Sequence, residues 1–164
     1  MTTTQKTQFT KDAVNNTVTV VRQFDGKVEQ VWKYWTESSL LDTWWAPKPW
    51  RAETKKMDFR EGGMWLYCMV GPEGERHWAR FDYKTINAPT KYSGSDSFCD
   101  EDGTKTTEAP SMNWVNTFAA SGNGTTVTVK ITFANNEDMQ KLFEMGFQEG
   151  FTAALGNLDE LLEK

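Results

Sequence analysis

The sequence predicts an α+β domain in which a strongly curved antiparallel sheet closes around a long C-terminal helix. Three observations carry this expectation. Residues 136–164 repeat apolar side chains at helical spacing with no proline among them. Residues 50–133 break into strand-like runs joined by Gly- and Pro-containing turns. Two short helical patterns follow a first strand near the N-terminus. Strands grouped between helices, rather than alternating with them one by one, indicate an α+β architecture.

Residues 1–16 read as a polar, loose tail, and 17–164 as a single domain. Thr17–Phe24 alternates β-branched residues and reads as a strand. From Lys27 to Thr36 the period becomes helical, with Val28, Val31, Trp32 and Trp35 on one face. Ser38 or Ser39 caps a second short helix through Leu40, Leu41, Trp44 and Trp45, which stops before Ala46-Pro47 because a residue preceding proline avoids the α region. Trp50–Phe59 alternates with several charges, as an edge strand does. After the Gly62-Gly63 turn, Met64–Val70 is a strand apolar on both faces, so one face meets the core and the other a loop or a partner. Gly71-Pro72-Glu73-Gly74 turns the chain into His77–Ile86, where Phe81 and Tyr83 oppose Arg80, Asp82 and Lys84. Asn87-Ala88-Pro89 leads to a strand at Lys91–Cys99, and residues 100–111 form a polar loop. Met112–Ala120 and Thr125–Phe133 flank Ser121-Gly122-Asn123-Gly124, a hairpin signal.

The last helix begins at an Asn135 or Asn136 cap, with Glu137 and Asp138 suited to the positive end of its dipole. Met139, Phe143, Phe147, Phe151, Ala154 and Leu158 share a broad apolar face. Gly146, Gly150 and Gly156 each cost roughly 1 kcal/mol against Ala inside a helix. Gly146 and Gly150, one turn apart, let a neighbouring backbone, ring or ligand approach closely.

The totals exclude several classes. The chain has 164 residues, enough for one domain with a core, and a net charge of −5, which supplies no basic face for nucleic acid. No apolar leader and no run of about 18 apolar residues is present, so a cytoplasmic protein with no membrane contact is expected. Cys68 and Cys99 read as reduced thiols. With one histidine, His77, no zinc set converges, and the Asp100/Asp102 loop fails the register of a calcium loop, so neither metal nor cofactor is expected. No nucleophile elbow, Walker loop or dinucleotide fingerprint occurs. His77, Arg80, Asp82 and Glu144 are the candidates for acid–base work inside a cavity, against a plainer reading of Arg80 and Asp82 as surface groups.

Eight Trp and ten Phe form the strongest chemical signal. Trp65, Tyr67, Met69, Phe81, Tyr83, Trp114 and Phe118 fall at strand positions able to face the helix, and Phe143, Phe147 and Phe151 face them in return. If the rings interdigitate they are core; if the sheet curves away from the helix they line a pocket.

A family resemblance bears on that choice. Arg22-Gln23-Phe24-Asp25 followed by Val31-Trp32, then Trp44-Trp45-Ala46-Pro47, Asp58-Phe59-Arg60-Glu61-Gly62-Gly63, the Pro72-Glu73-Gly74 turn, Gly124-Thr125-Thr126-Val127 and Gly150-Phe151 with Leu155, Leu158 and Leu161 occur in an order and spacing that resembles the START-like (SRPBCC) superfamily. Within it, the chain is similar to the C-terminal domain of the activator of the heat-shock chaperone ATPase. The resemblance implies a helix-grip fold, a curved antiparallel sheet holding the C-terminal helix with a cavity between them. It departs at Gly26-Lys27, where the family has Ala-Pro, and at Arg80, a bulky charge expected to narrow or polarise the cavity. The expected activity is non-catalytic binding of a small hydrophobic or aromatic ligand by the ten residues above, with Tyr67, Tyr83, His77 and Arg80 for polar selection and Met64 and Trp65 near the mouth. The alternatives are a chaperone-interacting module using the Met64/Leu66 face or the Trp44–Trp50 corner, and a cyclase- or dehydratase-type enzyme.

Overall fold

The computed structural model describes residues 7–106 and 111–162. Eight strands form one antiparallel sheet: β1 (Thr7–Asp12), β2 (Thr17–Phe24), β3 (Arg51–Met57), β4 (Met64–Val70), β5 (Arg76–Asn87), β6 (Lys91–Cys99), β7 (Met112–Ser121) and β8 (Gly124–Thr132). Their spatial order is β1-β2-β8-β7-β6-β5-β4-β3. Helices α1 (Val28–Thr36) and α2 (Ser38–Leu41) follow β2, and α3 (Asn136–Glu144) and α4 (Phe147–Leu162) end the chain. This is the α+β helix-grip arrangement.

Register puts the apolar sets of successive strands on one face. Val18, Val20 and Arg22 of β2 stand beside Ile131, Val129 and Val127 of β8, which stand beside Trp114, Asn116 and Phe118 of β7. Across the sheet, Trp65 pairs with Phe81 and Phe81 with Asp96. Against this face lie α1 and α4, with Val31, Trp35, Leu155 and Leu158 almost wholly buried. Two polar links fix α4. Arg22 of β2 forms a buried ion pair with Asp159 at 3.2 Å, and the Asn157 amide donates to the Ala46 carbonyl at 3.0 Å. Breaking one partner of such a buried pair leaves an uncompensated charge, so it fixes the helix's placement more firmly than it stabilises the fold.

The structure corrects three expectations. The C-terminal rod is two helices, because the chain turns at Gly146 with φ +91°, in the left-handed region that glycine enters without steric cost. Asn135 is the cap of the first, its side chain accepting from the Asp138 N–H at 2.8 Å. Residues 7–12, expected in a loose tail, form edge strand β1 in register with β2, Phe9 opposite Val20. The second short helix ends at Leu41, and Trp44 and Trp45 follow in a turn, the Trp44 indole donating to the Tyr34 carbonyl at 2.9 Å.

The second apolar face of β4 is also resolved. Leu66, Cys68 and Val70 are buried on the back of the sheet. Part of the β6–β7 connection covers its Met64 and Leu66 end, held where Arg80 donates to the Gly103 carbonyl at 2.8 Å and Lys55 to the Glu101 carbonyl at 2.9 Å. The polar loop expected at 100–111 falls partly outside the described residues. The Met64/Leu66 face therefore faces a loop of the same chain and not open solvent.

Candidate ligand-binding site

Alternation along the strands decides which side chains face the helices. On β4 these are Trp65, Tyr67 and Met69; on β5 His77, Ala79 and Phe81; on β6 Asp96 and Phe98; on β7 Met112 and Trp114. At the end of the sheet beneath the α3–α4 junction, these residues and the helices do not meet. A pocket of about 320 Å³ remains, roofed by Leu142, Met145, Gly146, Phe147, Gly150 and Phe151 and closed at the side by Trp45, Pro47 and Trp50. Gly150 keeps that roof thin: a Cβ there would meet only the Pro47 ring, at 3.7 Å. The walls are almost entirely apolar, with rings in edge-on contact, such as Trp114 with Phe151 at 5.6 Å and Trp45 with Phe151 at 6.0 Å.

The ten aromatic and Met positions singled out from the sequence separate into two groups. Tyr67, Met69, Trp114, Phe147 and Phe151 line the pocket. Trp65 lies behind Tyr67, stacked on it at 3.9 Å, with its indole donating to Thr54 Oγ1 at 2.9 Å. Phe81, Tyr83 and Phe118 belong to the solid part of the core, around Tyr92. The Phe81 ring sits over Gly94, where any Cβ would collide with it and with the Asp82 carbonyl. Phe143 packs edge-on against Phe147 at 5.7 Å, and Lys11 Nζ lies 4.0 Å from its ring centre, so it faces β1.

The polar candidates need more correction. Arg80 does not enter the cavity. It points to the back of the sheet, bound to Asp82 at 2.6 Å, because the alternation that turns Ala79 and Phe81 inward turns Arg80 and Asp82 outward. This pair and Lys105 hold the Asp82 carboxyl low despite the burial that opposes them. Glu144 is exposed on α3. Tyr83 packs against Phe59 at 4.8 Å, away from the pocket, and burial pushes its phenol well up. Neither Met64 nor Trp65 is part of the pocket wall; the Gly62-Gly63 turn joins the opposite end, with the Gly62 N–H donating to the Tyr83 carbonyl. Only His77 and Tyr67 among the expected polar groups line the pocket, His77 at the exposed mouth against the Trp50 ring at 5.2 Å.

One group was not singled out from the sequence. Asp96 lines the pocket while only 8% exposed, and the Tyr67 hydroxyl donates to its Oδ1 across a long 3.5 Å. Burial pushes its carboxyl up to about 7; the Tyr67 hydroxyl opposes this, and the charge of Asp82 across the sheet adds to it. The signal was the alternation Tyr92, Gly94, Asp96, Phe98, which puts Asp96 in phase with core residues. The indole N–H of Trp114, also in the wall, is buried without a hydrogen-bond partner among the described residues. Also among the described residues, no group of three or more His, Cys, Asp or Glu stands close enough to hold a metal ion, and no helix is long and apolar enough to cross a membrane.

This combination of sheet and gripping helices recurs in solved structures. A crystal structure of a Mycobacterium smegmatis protein superposes with a TM-score of 0.88 at 30% identity, covering 94% of this chain and 95% of the other. A solution structure of an Arthrobacter aurescens protein gives 0.90 at 32% identity, covering 95% and 91%. CalU16 from Micromonospora echinospora, at 16% identity and a TM-score of 0.62 over 95% and 84%, shares the fold alone. No curated protein sequence matches the chain. The family described as Activator of Hsp90 ATPase homolog 1-like protein matches residues 25–163, from just after β2 to the end of α4. With the match running through every element that walls the pocket, the chain belongs to that family of the START-like superfamily.

Proposed function

We propose that the protein binds a small apolar or aromatic molecule, non-covalently, in the pocket between the sheet and the α3–α4 junction. The observation that carries this reading is a ring-walled space of about 320 Å³ in an otherwise close-packed core. Small-molecule sites begin at roughly 300 Å³ and combine apolar walls with a few placed polar groups. Each ~100 Å² of ligand surface removed from water contributes about 2.5 kcal/mol before the costs of association. Tyr67, Met69, Trp114, Phe147 and Phe151 would supply most of that surface. A thermal-shift screen of one- and two-ring aromatic metabolites tests it. A ligand at 100 times its dissociation constant stabilises the fold by ~2.7 kcal/mol. Gly150→Leu, which puts a side chain into the roof, is expected to abolish that shift while leaving the protein folded. Ligand-induced shifts unchanged by Gly150→Leu would place binding elsewhere and defeat the proposal.

Family membership favours a second reading, a chaperone-interacting module. Adding the protein to a heat-shock chaperone ATPase assay decides it: a rise in turnover that survives Gly150→Leu would assign the activity to the surface and not the pocket.

A further inference from the structure

Resting on the pocket reading above, we propose that the ligand is a small aromatic or apolar amine, its ammonium group paired with the Asp96 carboxylate and its hydrocarbon part held among Trp45, Trp114, Phe147 and Phe151. Three observations point to this chemistry. Among the described residues, Asp96 is the one carboxylate in the pocket wall, and neither Lys nor Arg stands there to neutralise it. It is more than nine-tenths buried, yet among the described residues its side chain's one hydrogen bond is the 3.5 Å contact from Tyr67 to Oδ1. The neighbouring cation, Arg80, is on the other face of the sheet and committed to Asp82. A buried carboxylate without a cation or a set of donors is costly, and a ligand that brings a cation relieves the cost. The surrounding indole and phenyl rings add the attraction of aromatic faces for ammonium groups. An anionic ligand would face the opposite: an added like charge with no basic residue to receive it.

The protonation of Asp96 gives the proposal a signature. Its carboxyl, held up to about 7 by burial, is part-protonated at neutral pH. Pairing with an ammonium needs the ionised form, so amine affinity rises as pH goes from 6 to 8. The groups facing Asp96 are the phenols of Tyr67, Tyr83 and Tyr92, Asp82 and Cys99 across the sheet, and His77 at the mouth. The three phenols stay neutral over this range, since burial raises all of them. Asp82, held low, stays charged, and the Cys99 thiol, raised to about 11, stays neutral. His77→Gln lets the slope be read without the imidazole at the mouth.

The test is isothermal titration of the full chain with 2-phenylethylamine, 2-phenylethanol and 3-phenylpropionate, which share a ring and differ in head group. The amine is expected to bind at least tenfold more tightly than the alcohol at pH 7.5, with an affinity that rises with pH in wild type and in His77→Gln. Asp96→Asn is expected to erase the amine's advantage, whereas Asp82→Asn, on the back of the sheet, keeps it. Alcohol binding equal to or tighter than amine binding would overturn the amine while leaving the pocket reading standing. An affinity that falls with pH would also overturn it, showing a protonated Asp96 that donates to the ligand. Failure of all three probes to bind would overturn it together with the pocket reading. Should Asp96→Asn lose its near-ultraviolet circular dichroism, the wild-type head-group comparison and pH slope still decide.

Discussion

At one end of the sheet the rings of Trp32, Trp35, Trp44, Tyr92 and Phe118 touch each other on every side; at the other, Tyr67, Trp114, Phe147 and Phe151 stand around a space. The residue types are the same. In the solid end, Trp35 lies 5.0 Å from Trp44 and 5.7 Å from Phe118, and α1 presses the cluster onto β7. In the hollow end the covering chain turns at Gly146, and Gly146, Gly150 and Ala79 supply walls with little or no side chain. Ring content therefore does not distinguish core from pocket. What distinguishes them is the size of the residues set opposite the rings.

Mutations should break the two ends differently. Trp35→Ala, in the solid end, is expected to cost about 3–5 kcal/mol, read by urea denaturation, since a close-packed site collapses only partly around a lost ring. A loss below about 1 kcal/mol would mean the two ends are packed alike. Asp96 comes next. Because its folded carboxyl binds a proton more tightly than the unfolded chain's, the folded state holds more protons between pH 4 and 7. Stability due to this group thus falls as pH rises through that window and stays low above it, by on the order of 4 kcal/mol. Asp96→Asn should flatten that fall, so the variant gains on wild type at pH 8 and not at pH 4, in melting curves at the two pH values. Phe147→Ala, beside the void and half-buried, should cost only about 1–2 kcal/mol, less than a fully enclosed ring. Its effect on ligand affinity should exceed its effect on stability. The smallest change sharpens the comparison from outside: at Gly156 a Cβ meets nothing within 4 Å, so Gly156→Ala in mid-α4 should add about 0.5–1 kcal/mol and leave binding untouched.

Much of this was readable in the residues. Alternation placed β2 and β4 to β8 nearly to their ends, and the turn at Ser121-Gly122-Asn123-Gly124 fixed the β7–β8 register. The split of the last helix was not readable by period, because Phe143, Phe147 and Phe151 continue the i, i+4 series straight across Gly146. A single left-handed residue changes the direction of a helix without disturbing the spacing around it. Strand β1 was hidden for another reason: TQFTKD has one large apolar residue, and what holds it is the backbone of β2 and the contact from Arg22 to the Thr7 hydroxyl, both tertiary. Arg80 was legible and misapplied, since its own alternation with Phe81 already turned it away from the helices. Asp96 was equally legible by phase. A search for sets of ligands or nucleophiles passes over a lone carboxylate, whose meaning comes from the lack of charge around it.

The loop folded over the back of β4 and β5 has a practical consequence. Both thiols of the chain lie on that side, Cys68 fully covered and Cys99 half-covered, and burial raises each above the ordinary thiol range, Cys99 to about 11. At neutral pH neither offers much thiolate, the reactive form. Alkylation by a neutral maleimide thus clocks the lifting of this flap at Cys99, which bridges to Lys105, and the unfolding of the sheet at Cys68, while events in the ring-lined front of the molecule pass unrecorded.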